Sequence, residues 1–105
     1  MVLLMLFALA QTAHADEHAV APERARAAVE KGQIMPLASL LGAVEGRFVG
    51  TVVEAELQEN LGSWIYELEF LPIDGRLYRV FVDAATAAVV KTEGPVQERS
   101  GQERP

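Results

Sequence analysis

The chain lacks cysteine and has little histidine, and these two shortages exclude several kinds of chemistry. None of its 105 residues is cysteine, so disulfide scaffolds and thiol catalysis are both excluded. The only histidines are His14 and His18, which both precede the regularly patterned part of the chain. Their i, i+4 spacing is that of a zinc pair, but the Glu that directly follows the first His of such a pair and the stable helix are missing. We therefore expect no enzyme activity, no cofactor and no metal site.

Basic residues are fewer than acidic ones, and they form no cluster. Nine Lys and Arg stand against fifteen Asp and Glu, which gives a formal net charge of −6. Nucleic acids and anionic lipids bind proteins mainly through clustered positive charge. We therefore expect neither a nucleic acid nor an anionic lipid surface as a partner.

No apolar run is long enough to span a bilayer, and the longest one lies at the amino end. It extends from Val2 to Ala10, about half of the roughly 20 residues that a transmembrane helix needs. Ala13-His14-Ala15 then has the form of a cleavage site. This pattern predicts a signal peptide over residues 1–15 and a periplasmic or secreted mature chain without a stable membrane span. No Lys or Arg precedes the run, and the alternative is a disordered apolar tail.

Apolar spacing divides the remaining chain into three parts. Residues 16–21 form a polar leader, residues 22–94 have regular apolar periodicity, and residues 95–105 form a charged tail without it. We predict one small domain over 22–94 and disorder in the tail. A domain of this size needs both a sheet and a helical cover to bury enough apolar surface.

Two short helices are predicted ahead of the strands. In "PERARAAVEKG", Pro22 suits a first-turn position and Gly32 ends the helix, whose apolar stripe comprises Ala25, Ala28 and Val29. In "PLASLLGAVEG", the apolar stripe comprises Leu37, Leu40, Leu41 and Val44. Each helix has only one apolar face, so both are expected to lie on a sheet.

The parity of the apolar residues, that is, whether they have odd or even numbers within a strand, decides which face they share and predicts how the strands pair. Apolar and polar side chains alternate in the segments "WIYELEF" and "LYRVFV". A loop with an odd number of residues, 73–75, keeps their apolar side chains on one face. Gly75 is expected in the left-handed region. The predicted facing pairs are Phe70 with Tyr78, Leu68 with Val80, and Tyr66 with Val82. Trp64 and Tyr66 are expected to pack in the core or at its rim and not to form a ligand platform.

The same parity test extends the sheet on both sides. Upstream, a loop at residues 59–62 is predicted to set Val53, Ala55 and Leu57 opposite Leu68, Tyr66 and Trp64. Downstream, a reversal at residues 85–87 is predicted to set Val90 opposite Val82. The expected fold is α+β, with two short amino-terminal helices packed on one face of a four-stranded antiparallel meander sheet.

Several features of the chain occur in a characteristic order. They are the paired short helices, a Gly-x-Val entry into the first strand, Tyr66, Asp74-Gly75, and "VDAAT" before a final apolar pair. In this order, over roughly residues 23–91, the chain resembles the PepSY domain. That domain is found in propeptides of secreted metallopeptidases and in small exported bacterial proteins. The family usually has Gly where this chain has Ala87, so the last reversal is expected to be strained or to take another form.

Acidic side chains alternate with apolar ones on the first two predicted strands. Those expected on the solvent face are Glu54, Glu56, Glu67 and Glu69. Glu54 is predicted opposite Glu67, a repulsive pair, and Arg79 opposite Glu69. An open sheet face lacks the cleft that catalytic carboxylates need. The alternatives are an ordinary solvated face and a surface that binds a cation or a basic partner.

Two classes of function follow once catalysis is set aside. The resemblance implies a non-enzymatic binding module that inhibits or restrains a secreted peptidase, or modulates an envelope partner such as a sensor. An exposed sheet edge offers a route to a protein partner through strand addition. The alternative is a structural or self-associating periplasmic homodimer that pairs edge to edge and has no peptidase partner.

Overall fold

The computed structural model describes residues 19–100, in which two helices precede four strands. The helices are α1 (Pro22–Glu30) and α2 (Leu37–Glu45). The strands are β1 (Thr51–Asn60), β2 (Ser63–Leu71), β3 (Tyr78–Asp83) and β4 (Val89–Glu93). They form one antiparallel sheet in the order β1-β2-β3-β4, which confirms the predicted α+β class and the meander. The predicted signal peptide and residues 16–18 of the predicted leader lie outside the described residues.

Both helices lie where the apolar stripes predicted them. Gly32 follows α1 with φ 74°, and its N–H donates to the carbonyl of Val29 at 3.0 Å. Ala28 of α1 and the two α2 residues Leu40 and Val44 are buried. They belong to one hydrophobic cluster with the fully buried sheet residues Leu68, Phe70, Val80 and Val82.

The pairing of β2 with β3 is the one that parity predicted. The facing pairs are Phe70 with Tyr78, Leu68 with Val80, and Tyr66 with Val82. In the loop between the strands, the N–H of Gly75 donates to the carbonyl of Pro72 at 2.9 Å. Gly75 has φ 80°, so the expected left-handed residue is confirmed. A side chain would be strained in that conformation, which explains the glycine.

The predicted pairing of β1 with β2 is wrong by two residues. Ala55 faces Leu68 and Leu57 faces Tyr66. The reason is the turn: Leu61 and Gly62 alone connect the strands, both with positive φ, at 54° and 84°. Two successive residues of this kind make the tight hairpin turn whose twist suits antiparallel strands. Parity cannot distinguish this turn from a four-residue loop, because both keep the same faces together.

A bulge in β1 changes which valine faces the core. The register shifts between Val52 and Glu54, so that Val52 faces Phe70 and packs against the core cluster. Val53, which the sequence analysis placed on the core face, is instead 50% exposed. A bulge adds one residue to one strand and reverses parity beyond it. A test that assumes uninterrupted alternation therefore fails at this point.

The last hairpin has the left-handed residue that the family pattern implied and a register that was not predicted. Ala87 has φ 69°, and its N–H donates to the carbonyl of Asp83 at 2.8 Å. Val82 faces Val89 and not the predicted Val90, because the register shifts between Phe81 and Val82. Val90 is consequently 53% exposed.

Two residues ahead of the predicted domain boundary at residue 22 pair with β1. Ala19 forms an antiparallel bridge with Gln58, and the N–H of Val20 donates to the carbonyl of Leu57 at 3.0 Å. Residues 19–21, predicted as the end of a leader, thus begin on the outer edge of β1. Two backbone contacts of this kind leave no periodic signal in the sequence.

Residues 97 and 99, which lie in the tail predicted to be disordered, form backbone hydrogen bonds with the segment that precedes β1. The N–H of Val49 donates to the carbonyl of Gln97 at 2.9 Å, and the N–H of Arg99 donates to the carbonyl of Arg47 at the same distance. The buried Tyr78 hydroxyl donates toward the carbonyls of Val49 and Gln97. Polar composition alone does not reveal such backbone pairing. Residues 101–105 lie outside the described part of the chain.

Candidate partner-binding surface

The five residues that the sequence proposed for partner binding lie together on one face of the sheet. This acidic face carries Glu54 and Glu56 from β1, Glu67 and Glu69 from β2, and Arg79 from β3, and these five line a shallow depression of about 140 Å³. Alternation explains the clustering, because the neighbours of these residues along each strand include the buried Leu57, Leu68 and Val80.

The pairing of the glutamates differs from the prediction. Glu54 faces Glu69, and Glu56 faces Glu67. The expected pair of Glu54 with Glu67 is therefore wrong, because the two-residue turn at Leu61 and Gly62 moves the β1–β2 register by two residues. Arg79 does face Glu69, as predicted. The sheet thus holds two directly opposed glutamate pairs, and like charges that face each other across neighbouring strands are destabilising.

Only one of the two pairs has a cation within ion-pair distance among residues 19–100. Arg79 Nε lies 3.1 Å from Glu67 Oε2, and Gln58 Nε2 donates to Glu67 Oε1 at 2.7 Å. Arg79 also reaches Glu93 on β4, with Nη1 3.7 Å from Oε1. In this same part of the chain Glu54 and Glu69 form no ion pair. The unbalanced negative charge of the acidic face is therefore concentrated at Glu54 and Glu69.

Three residues of this face were missed by the sequence analysis, namely Gln58, Lys91 and Glu93. Lys91 Nζ lies 3.2 Å from Glu93 Oε2 and 4.7 Å from the centre of the Phe81 ring. The signal was present in the alternation of β4, since residues 91 and 93 share parity. The register predicted from Val82 and Val90 also sets Lys91 opposite Phe81, as observed, so the bulge did not hide the face of these residues.

Within residues 19–100, no three His, Cys, Asp or Glu side chains are grouped so that they could hold a metal ion. Both histidines, His14 and His18, lie outside the described residues. Burial raises the pKa of Tyr66 and of Tyr78, and both residues belong to the core.

Trp64 lies at the rim of the core, as expected. It is half-buried against the hydrophobic cluster, with the Arg24 guanidinium carbon 5.2 Å from its ring centre. Arg24 also forms an ion pair with Glu59, at 2.6 Å. Tyr66 is buried in the core itself.

An apolar depression adjoins the acidic face where β1 begins and β2 ends. Its exposed apolar side chains are Val53, Leu71 and Ile73, and Arg99 lies at its margin. Gly50 allows the chain to pass close to β2 here, since a Cβ at this position would lie 2.9 Å from the Pro72 nitrogen. The acidic face therefore ends at an apolar patch on the β1 side.

Comparison with known proteins identifies the family. No helix within residues 19–100 has the length and apolar character needed to cross a membrane. No curated protein and no solved structure gives a significant match to the chain. The family model described as the peptidase propeptide and YPEB domain matches residues 19–93, which is most of the chain. The chain therefore belongs to the PepSY family.

Proposed function

We propose that this protein is a non-enzymatic exported binding module that restrains a secreted or envelope peptidase through its acidic face. The family's link to peptidase propeptides supports the choice of partner. The observation that carries the proposal is the Glu54–Glu69 pair, two opposed carboxylates with no ion-pair partner among residues 19–100. A basic group on a partner would be attracted to this pair.

The two helices, in this proposal, cover the opposite face of the sheet. Ala28, Leu40 and Val44 share one cluster with the sheet side chains that alternate with the glutamates. Packing of this kind leaves the acidic face open to a protein partner. Modulation of a different envelope protein, such as a sensor, would use the same open face.

Export is part of the proposal. The apolar run followed by Ala13-His14-Ala15 supports removal of residues 1–15 and a periplasmic or secreted location. Sequencing the amino terminus of the exported protein should give Asp16 as its first residue. An intact Met1 end in a membrane fraction would contradict export in this form.

The test adds purified exported protein to the envelope and medium fractions of the organism that encodes it, with labelled casein as the substrate. The wild-type protein should slow casein hydrolysis, and a Glu54→Gln/Glu69→Gln variant should slow it less. The matched control is Glu23→Gln/Glu30→Gln, which makes the same charge change on the exposed surface of α1.

Each outcome of this assay bears on the proposal. Unchanged hydrolysis with the wild-type protein would contradict peptidase restraint. Equal restraint by the acidic-face variant would show that another surface meets the peptidase. A self-associating structural protein would instead sediment as a dimer and leave hydrolysis unaffected.

A further inference from the structure

Among the residues that the structure describes, only part of the outer edge of β1 is paired. Ala19 and Val20 pair with it at Gln58 and Leu57. From Thr51 to Glu56, no other segment of residues 19–100 hydrogen-bonds to this edge through its backbone. Six strand residues span about 20 Å. The open part of the edge therefore accommodates an extended segment of about five residues.

The backbone N–H and carbonyl groups of this edge point in the direction that strand addition requires. The carbonyl of Leu57 faces outward, since it accepts from the N–H of Val20. Backbone groups two residues apart in a strand face the same side, so the N–H and carbonyl of Ala55 face outward as well. A segment that lies in line with Ala19 and Val20 would continue an antiparallel pairing that the chain itself has begun.

The side chains beside the edge change from acidic to apolar along β1. Glu54 and Glu56 lie on the acidic face, with Glu69 directly opposite Glu54. Toward the start of β1, the apolar depression follows, where Val53 is 50% exposed and Ile73 is 104% exposed. A complementary strand therefore has basic side chains at alternate positions and an apolar side chain toward its carboxyl end.

We propose that the outer edge of β1, from Thr51 to Glu56, binds an extended basic segment of a protein partner by antiparallel strand addition. The basic side chains lie above the Glu54–Glu69 pair, and an apolar side chain enters the depression beside Ile73. This inference rests on the proposed function and adds the edge, the direction and the chemistry of the partner.

A second copy of this chain is a poor occupant of the same edge. An antiparallel β1–β1 pair would bring Glu54 and Glu56 of one copy beside the same residues of the other. Like charges across neighbouring strands are destabilising. Charge therefore favours a basic partner over self-pairing.

The test uses a blocked peptide with the order lysine, threonine, lysine, threonine, leucine, and measures its binding by fluorescence anisotropy at low salt. Alternation would place its lysines and leucine on the acidic face. A second peptide has glutamate in place of both lysines. A third is N-methylated at both threonines, whose N–H groups would face β1. We expect both modified peptides to bind at least about fivefold more weakly than the first, a loss near 1 kcal/mol.

Variants of the protein, measured with the unmodified peptide, test the same contacts. Glu54→Gln/Glu69→Gln and, separately, Ile73→Ser should each weaken binding of the first peptide several-fold. The matched controls are Glu23→Gln/Glu30→Gln and Leu61→Ser. Leu61 is 98% exposed at the opposite end of β1, so its replacement removes a comparable apolar side chain away from the depression.

The outcomes separate this inference from the proposed function. Equal binding of the N-methylated peptide would overturn strand addition, and equal binding by Ile73→Ser would overturn the apolar contact. If no peptide binds while the protein still restrains casein hydrolysis, the edge inference fails and the proposed function stands. If the peptide binds as expected and hydrolysis is unaffected, the peptidase partner is wrong and the edge inference stands.

Discussion

Replacing Ala87 with glycine should stabilise the domain. Ala87 has φ 69° in the turn between β3 and β4, a conformation that glycine adopts without strain. Several backbone polar groups of this turn form hydrogen bonds. The Asp83 carboxylate accepts from the N–H groups of Ala85 and Thr86, at 2.8 and 3.1 Å, and the Asp83 N–H donates to the Ala88 carbonyl at 2.8 Å. These bonds involve no Ala87 side-chain atom, so Ala87→Gly should keep them.

The net effect is a balance of three contributions. A non-glycine residue in the left-handed region costs on the order of 1–3 kcal/mol, and Ala87→Gly removes this cost. The substitution also raises the entropy of the unfolded chain, which opposes the gain by about 0.4–1 kcal/mol. Loss of the half-buried methyl group opposes it by about 0.4 kcal/mol. At the midpoints of these ranges, the net stabilisation is about 1 kcal/mol.

Thermal and urea unfolding measure this effect, and the neighbouring Ala88 provides the control. Ala88 has ordinary backbone geometry and is exposed, so Ala88→Gly changes the unfolded chain in the same way without relieving strain. It should destabilise by about 0.4–1 kcal/mol. Ala87→Gly should raise the midpoint by roughly 2–8 °C in a domain of this size. A midpoint lowered as much as that of Ala88→Gly would show that Ala87 carries no strain.

Three further predictions concern the turns and the core. Leu61→Asn should stabilise by about 0.5–1.5 kcal/mol in urea unfolding, because Leu61 is exposed at φ 54° before a glycine, where asparagine is preferred; a lower midpoint would contradict it. Tyr78→Phe should cost about 1–3 kcal/mol and speed hydrogen exchange at the Arg99 amide, since two carbonyls lose their hydroxyl donor; unchanged exchange would refute this. Burial raises the pKa of Tyr66 and Tyr78 above the ordinary 10.0, so the folded protein keeps protons that the unfolded chain releases. The free energy of unfolding should therefore fall as pH rises above 10.0, and a flat profile there would contradict it.

The pairing of β2 with β3 could be predicted because parity and turn chemistry agree there. The apolar sets of the two strands fit only an odd loop, and Asp74-Gly75 supplies the left-handed residue at its end. The β1–β2 hairpin lacked such agreement. Leu61 occupies a position where a leucine is rare, so the sequence contained no recognisable two-residue turn. Apolar alternation also permits a four-residue loop there, and the register that such a loop gives differs from the observed one by two residues at Ala55 and Leu57.

The members of the acidic face could be predicted, but their pairing could not. Alternation alone places Glu67 and Glu69 on the face opposite Leu68, whatever the register. Which glutamate faces which depends on the turn at Leu61, and this turn has no clear signal in the sequence. For that reason the most unbalanced pair, Glu54 with Glu69, was not among the predicted contacts.

Two features of the sheet lower its stability, and a binding partner could relieve only one of them. The strain at Ala87 lies in a backbone turn whose hydrogen bonds are already made, so no ligand could relieve it without breaking them. The repulsion between Glu54 and Glu69 acts between side chains on an accessible face, and a basic group could offset it in a complex. Ala87→Gly should therefore raise stability and leave binding of the lysine peptide unchanged. Glu69→Gln should raise stability by roughly 0.2–1 kcal/mol and weaken that binding. If Glu69→Gln instead destabilises the domain, the carboxylate has a structural role in the free protein, and the repulsion would no longer support a basic partner.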